Sequence, residues 1–441
     1  ALRVGSFGLV NPSLLYEYKI SDRISTTLNA EWTTASGKYK FRYRRKTPAG
    51  DVAYDTTATR QNGDIDAMRL EAGLQGGYDR GFWRIYLYHY SSERGVPGAI
   101  VNNVWRNGER LWDRNSFAQA TLRHRFSRKL QLKANLKYAY DYTHYVNNDE
   151  KLLEVDNIYK QKEIYASAAL CYDLTDWWQA SAAYDIQWNQ LSEYADVHRT
   201  THWASVATAL TLPRRLKLQA SLLGTFIDEE ARERTEPPSH RVLTPAAFLS
   251  WQPFEAGLVL RTFTKQAFRM PTFNDLYYTD MGNASLRPEK TTQYDAGLTY
   301  TLARPGRTLS YLEVGAEAYY NRVTDKIVAY PKGQQFRWTM LNLGKVDIRG
   351  IDAHAHVAAE PWRHWRLTAK LQYTYQRAID VTDPADTYYR DQIPYIPRHS
   401  GSLVLMARWK KWSLNYSFIY VGERYNQQEN IQYNYTQPWY T

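Results

Sequence analysis

The stretch KLQLKANLKYAYDY, residues 129–142, decides the fold. Leu130, Leu132, Ala134, Leu136, Tyr138, Tyr140 and Tyr142 take every second position, and Lys129, Gln131, Lys133, Asn135, Lys137 and Asp141 lie between them. Successive side chains of a strand point to opposite faces, so this is one long strand with an apolar face and a charged face. The same alternation sets Trp178, Ala180, Ala182, Tyr184, Ile186 and Trp188 against Gln179, Ser181, Asp185, Gln187 and Asn189. It recurs for Trp365, Leu367, Ala369, Leu371, Tyr373 and Tyr375, and for Trp412, Leu414, Tyr416, Phe418 and Tyr420. Aromatic residues stand toward both ends of each apolar face, as two interfacial girdles would require. A soluble sandwich also alternates, but its strands usually run about five or six residues. Runs of about ten or more can cross a bilayer at a tilt.

The connections fall into two kinds. Tight turns lie at Ser21-Asp22, Asp79-Arg80, Ser127-Arg128, Thr175-Asp176, Pro213-Arg214, Phe254-Glu255, Pro305-Gly306, Trp362-Arg363 and Lys410-Lys411. Between them come longer polar or Gly/Pro-bearing loops near 46–64, 94–111, 146–157, 194–200, 229–239, 267–287, 331–337, 381–396 and 425–436. Short turns at one rim and long loops at the other are the polarity of an outer-membrane barrel. The expected fold is all-β, a large antiparallel transmembrane barrel with about 18–19 strands in this chain. A barrel of about 22 strands, the size class of plugged transporters, fits if its first strand and last two fall outside the sequence. Residues 1–441 are therefore expected to form one barrel domain, as a fragment of a longer protein.

Composition agrees. Aromatic residues make up 15% of the chain, with 37 Tyr and 15 Trp, and these rings favour strands and membrane interfaces. Mean hydropathy is −0.62, and no run of about eighteen apolar residues occurs, which excludes a helical membrane protein but not a barrel. Cys171 is the single cysteine, so no disulfide forms within the chain. The formal net charge of +11 is spread over alternate strand positions and turns rather than clustered on a helix. Attraction to anionic lipid head groups is the simpler account, and nucleic acid is not an expected partner.

One segment goes beyond barrel generalities: FRMPTFNDLYYTDMGNASLRPEKTTQYDAGLTY, residues 268–300. Its proline residues and Gly282 interrupt strand pairing and set the loop's path, while Leu286 can pack and Glu289 can face a polar neighbour. Arg269, Pro271, Asp275, Leu276, Gly282, Asn283, Leu286, Pro288 and Glu289 are accordingly expected to be mainly structural. The candidates for ligand contact are Arg269, Asn274, Tyr277, Tyr278 and Asn283, the two tyrosines by stacking on a planar or ring-bearing ligand. The run of Arg-x-Pro, Asp-Leu-Tyr, Gly-Asn and Leu-x-Pro-Glu resembles the signature stretch of the TonB-dependent outer-membrane receptors. NLGKVDIRGID (342–352) and IPYIPRHSG (393–401) are similar to two further stretches of that family.

The resemblance implies capture of a scarce, bulky nutrient, a ferric siderophore or cobalamin, and its energised import across the outer membrane of a Gram-negative bacterium. It implies outer-membrane lipid and lipopolysaccharide around the wall, a small-molecule ligand, a surface lipoprotein as accessory partner, and the TonB complex reached through a plug domain. Nothing in this sequence resembles a plug. No cofactor is expected, and no enzymatic activity, since no phosphate-cradling loop, hydrolase elbow or zinc-protease motif occurs. His354 and His356 alternate on one strand face as a metal pair would, but with no third ligand in view no metal site is expected. The carboxylates Asp380, Asp383 and Asp386 are read as a solvated loop rather than a calcium site. Loop 267–287 carries no histidine, which argues against haem. Alternatives from other classes are a passive porin, a secretion or assembly barrel, and a soluble β-rich binding protein.

Overall fold

A computed structural model describes residues 1–46, 51–97, 108–148, 154–192, 196–232, 239–255, 257–278, 282–332 and 337–441. Parts of the loops anticipated near 46–64, 94–111, 146–157, 194–200, 229–239, 267–287 and 331–337 lie outside the described residues.

Among the described residues the main sheet has 20 strands. Each pairs antiparallel with the next, from Leu2–Gly5 on Leu9–Lys19 to Trp412–Val421 on Trp439–Tyr440. Two hairpins pair only with themselves: Tyr39–Lys46 with Val52–Arg60, so that Ile24–Ala35 pairs with Ile65–Tyr78, and the short Arg424–Tyr425 with Tyr435–Thr436 before Trp439–Tyr440. The alternation had suggested a plain loop near 46–64. The chain instead continues as a ribbon outside the wall, rich in the β-branched and aromatic residues that favour strands.

Register keeps the two faces distinct. Leu136 stands opposite Ala120 and Ala166, and its neighbour Lys137 opposite Gln119 and Tyr165. A slip of one residue would exchange the faces, so the apolar pattern fixes the pairing. The apolar face is the exposed one: Leu136 is 57% exposed, Val206 59% and Leu243 62%. So wide a band of uncovered apolar side chains marks a lipid-facing surface.

The opposite face is polar and internally bonded. Lys137 Nζ donates to Glu163 Oε1 at 2.9 Å, and Gln187 Nε2 to the other oxygen of Glu163 at 2.7 Å. Asn135 links Thr121 and Ser167 across three strands, at 3.0 and 3.1 Å. These ladders satisfy polar groups that line the lumen. At the tight-turn rim the outward rings of Trp365 and Trp409 stack 6.1 Å apart, and Tyr294 and Tyr320 stack at 6.3 Å near the other rim. The band between them is the membrane-spanning belt.

Candidate functional site

The strand Leu258–Arg269 leads into Met270-Pro271, and Pro271 is fully buried. Proline holds the residue before it extended, which ends the strand without a tight turn. Thr272 then caps a single helical turn, Phe273–Tyr277. Its hydroxyl accepts the Asp275 N–H at 3.2 Å, and its own N–H donates to Asp275 Oδ2 at 2.9 Å. The same carboxylate oxygen takes Arg269 Nη2 at 3.1 Å, and Arg269 also reaches Glu289 Oε2 at 3.5 Å. Glu289 Oε2 accepts the backbone N–H of Ile327 at 3.1 Å. One arginine thus ties the helix start to the following strand.

Helical spacing puts Phe273, Leu276 and Tyr277 on one side of the turn. Leu276 packs with Leu286 and Ile327. Phe273 packs with Tyr159, Leu191 and Val197, which holds the helical turn against strands three to five along the sheet from its own. Gly282 permits the return: a Cβ there would lie 2.6 Å from the carbonyl oxygen of Tyr278 and 2.7 Å from its nitrogen, so only glycine fits. Asn283 Nδ2 donates to Met340 O at 2.9 Å, and Asn342 brackets Arg287, accepting its N–H at 2.8 Å and donating to its carbonyl at 3.1 Å. The segments 268–300 and 342–352 are therefore bonded to each other. Ile393 of the third segment is buried against Leu343, Val346 and Ile348 of the second.

Beneath the helix lies a buried ion pair. Arg199 and Glu229 are direct cross-strand partners on the lumen face. Arg199 Nε meets Glu229 Oε2 at 2.6 Å, and Arg199 Nη1 donates to the Pro271 carbonyl at 2.8 Å. The guanidinium sits 4.8 Å from the centre of the Phe273 ring. The Tyr277 hydroxyl donates to Glu229 Oε1. The Glu229 side chain has no exposed surface and that of Arg199 is 10% exposed. A charge pair so placed is held by geometry and extra hydrogen bonds, and neither member can be lost cheaply.

Next to it, Tyr278 lies flat on Tyr159, with ring centres 3.8 Å apart and planes 11° from parallel. Gln161 Nε2 donates to Asn274 Oδ1 at 2.9 Å and reaches the Tyr278 hydroxyl at 3.4 Å. Burial pushes the Tyr278 phenol up to about 12, the Gln161 hydrogen bond pulling the other way. The fold prefers the neutral phenol. Its contribution to loop stability is whole below the ordinary tyrosine value near 10 and is lost as pH rises through about 12. An ultraviolet titration of the protein against its Tyr278→Phe variant should show the missing phenolate only toward pH 12. A midpoint near 10 would put that ring in water and contradict the stacked geometry.

Of the ligand-contact candidates, Asn274, Tyr277 and Tyr278 come together on the lumen face of Val155–Asp173, Val197–Leu212 and Leu216–Ala231. Arg269 and Asn283 lie apart from them, toward Leu309–Lys332 and Arg337–Ala359. Tyr159, Gln161, Arg199 and Glu229 were not singled out from sequence. A signal existed: Arg199 and Glu229 are equidistant along the chain from Arg214 in the predicted turn, hence opposite one another on the polar face.

The other constellations have ordinary wall partners. His354 and His356 face the lumen, where His354 Nε2 lies 3.8 Å from Glu313 Oε1 and His356 meets the Tyr311 ring at 5.0 Å. Asp380 and Asp383 accept the backbone N–H groups of Thr382 and Ala385 at 2.8 and 2.9 Å. Among the described residues no cluster of three metal-ligating side chains occurs.

A wide antiparallel wall with a lipid-facing belt, a polar inner face and a helical turn packed on that face defines a large transmembrane β-barrel. Residues 9–441 match the family model described as TonB dependent receptor-like, beta-barrel, and the chain belongs to that family of receptors and transporters. It is 27% identical over 140 residues to the vitamin B12 transporter BtuB of Vibrio vulnificus (strain YJ016), a match covering 30% of this chain and 22% of that relative. The chain thus aligns with less than a quarter of that curated relative's length. Among solved structures, the FrpB iron transporter from Neisseria meningitidis (F5-1 variant) superposes with a TM-score of 0.74 at 12% identity, covering 99% of this chain and 72% of that one. The copper transporter OprC superposes with a TM-score of 0.73 at 13% identity, covering 100% and 69%. At these identities the likeness is one of fold.

Proposed function

We propose that this chain is the wall, outer loops and lumen of a TonB-dependent receptor in a Gram-negative outer membrane, which captures a ferric siderophore or cobalamin and imports it with energy from the inner membrane. The reading includes a plug domain in the full protein that carries the signal to TonB, lipopolysaccharide and other outer-membrane lipid around the belt, and a surface lipoprotein as accessory. It includes no enzymatic step and no resident cofactor. The observation that carries it is segment 270–278, held against the inner face of the wall by the Arg199–Glu229 pair. The family match over residues 9–441 supports a receptor rather than an open diffusion pore. Capture then falls to the outer loops, and Asn274, Tyr277 and Tyr278 stand where cargo passing that segment would meet it.

The test is equilibrium binding of the purified full-length protein, in detergent, to cyanocobalamin and to a panel of ferric siderophores. Saturable binding to one of them supports the reading and names the cargo. Binding to none, together with steady ion conductance in planar bilayers, would replace it with a passive porin.

A further inference from the structure

On the lipid-facing side, Arg349 and Arg377 stand directly opposite each other on Arg337–Ala359 and Trp365–Asp380. Like charges at a facing pair repel, and the nearest carboxylate on that face, Asp347, is already bonded to Arg322. Below them the outward face is apolar: Ile351, Ala353 and Ala355 on one strand, Tyr375, Tyr373 and Leu371 on the other. Tyr320, level with Arg349 on the next strand, lies under its guanidinium at 5.3 Å. Two residues further toward the long-loop rim, Arg322 is already neutralised by Asp347 at 2.9 and 3.2 Å. Arg349 and Arg377, in contrast, form no ion pair among the described residues. The side chains of Tyr320, Arg349, Ile351 and Tyr375 border a hollow at this level.

Depth follows from strand geometry. Trp365 to Tyr375 marks the apolar run of its strand, and at about 3.3 Å per residue and a tilt of about 40° it rises about 25 Å, the height of the lipid-facing band. Arg377 and Arg349 therefore lie just past the band, at head-group level on the long-loop side. Tyrosines at that boundary offer a flat amphipathic flank to a sugar or glycerol.

We propose that Arg349 and Arg377 form a binding site on the outside of the wall for the phosphate of a phosphorylated glycolipid of the outer leaflet, with Tyr320 and Tyr375 flanking its head group. A phosphate oxyanion between two guanidinium groups accepts paired charge-assisted hydrogen bonds and removes their repulsion. The orientation rests on the outer-membrane reading above, but the site is separate from the lumen and from any cargo.

The full-length protein in phosphatidylcholine nanodiscs, titrated with fluorescent diphosphoryl lipid A, tests this. Saturable binding is expected, weakened about tenfold or more in R349Q/R377Q and retained in R349K/R377K. The control R366Q/R408Q removes another facing arginine pair, on the lumen side near the tight-turn rim, and should leave affinity unchanged. Equal loss in both glutamine pairs, no loss in either, or phosphatidylglycerol competing as strongly as lipid A would overturn the proposal. Lipid A binding that persists in a protein that binds no nutrient and conducts ions steadily would uphold this site while ending the receptor reading.

Discussion

Replacing Glu229 with alanine is expected to release segment 270–278 from the lumen wall and to cost about 3–5 kcal/mol, the penalty of stranding one member of a buried pair. Arg199 would keep only the Pro271 carbonyl and the face of Phe273, and the Tyr277 hydroxyl would lose the acceptor at Glu229. The effect should be local, because the rest of the wall is held by ladders that do not involve this pair. Limited trypsin digestion followed by mass spectrometry reads it directly: cleavage after Arg269 should appear in the variant well before it appears in the parent. The double variant R199M/E229L should recover much of the protection, since removing both partners leaves no uncompensated charge. A Glu229→Ala protein with the parent's cleavage pattern and thermal midpoint would show that the pair does not fasten the loop.

This buried pair also shows where reading the sequence stops. The wall was legible because alternation is a local property. Leu130 to Tyr142 declares its two faces without reference to any partner, and turns such as Asp79-Arg80 and Ser127-Arg128 fall between the observed strands. Direct pairing across a turn was legible in principle as well, which makes Arg199 and Glu229 recoverable as neighbours. What they do was not. The contact from Arg199 to Pro271 joins chain positions far apart, and only the inward path of the loop after Leu258–Arg269 brings them within 2.8 Å. The one-turn helix hid for a related reason: Thr272 and Asp275 form a capping box, but a helix of five residues leaves too little periodicity to detect. The stacking of Tyr278 on Tyr159 is likewise set by how far the loop folds inward, a distance that no spacing in the sequence encodes.

The assignment of faces makes the second large prediction. Val206 is 59% exposed on the outward face, opposite Ala182 and Leu222, and Ala182 lies midway along a strand bracketed by Trp178 and Trp188. Val206→Arg should therefore put a charge near the middle of the hydrocarbon and cost about 2–4 kcal/mol. Ser205, one residue back, faces the lumen opposite Ala183 and Leu223. Ser205→Arg adds the same side chain on the same strand into a polar interior, and should change stability by only about 0.5 kcal/mol. Denaturant unfolding of both variants in lipid vesicles separates the two effects. Because the variants share strand, depth and introduced side chain, a difference of several kcal/mol between them reports lipid against lumen. Equal destabilisation would mean that no bilayer covers the apolar face, and a larger cost at Ser205 would mean that the faces are inverted. Either outcome would remove the lipid-facing belt on which both the transport reading and the outer lipid site depend.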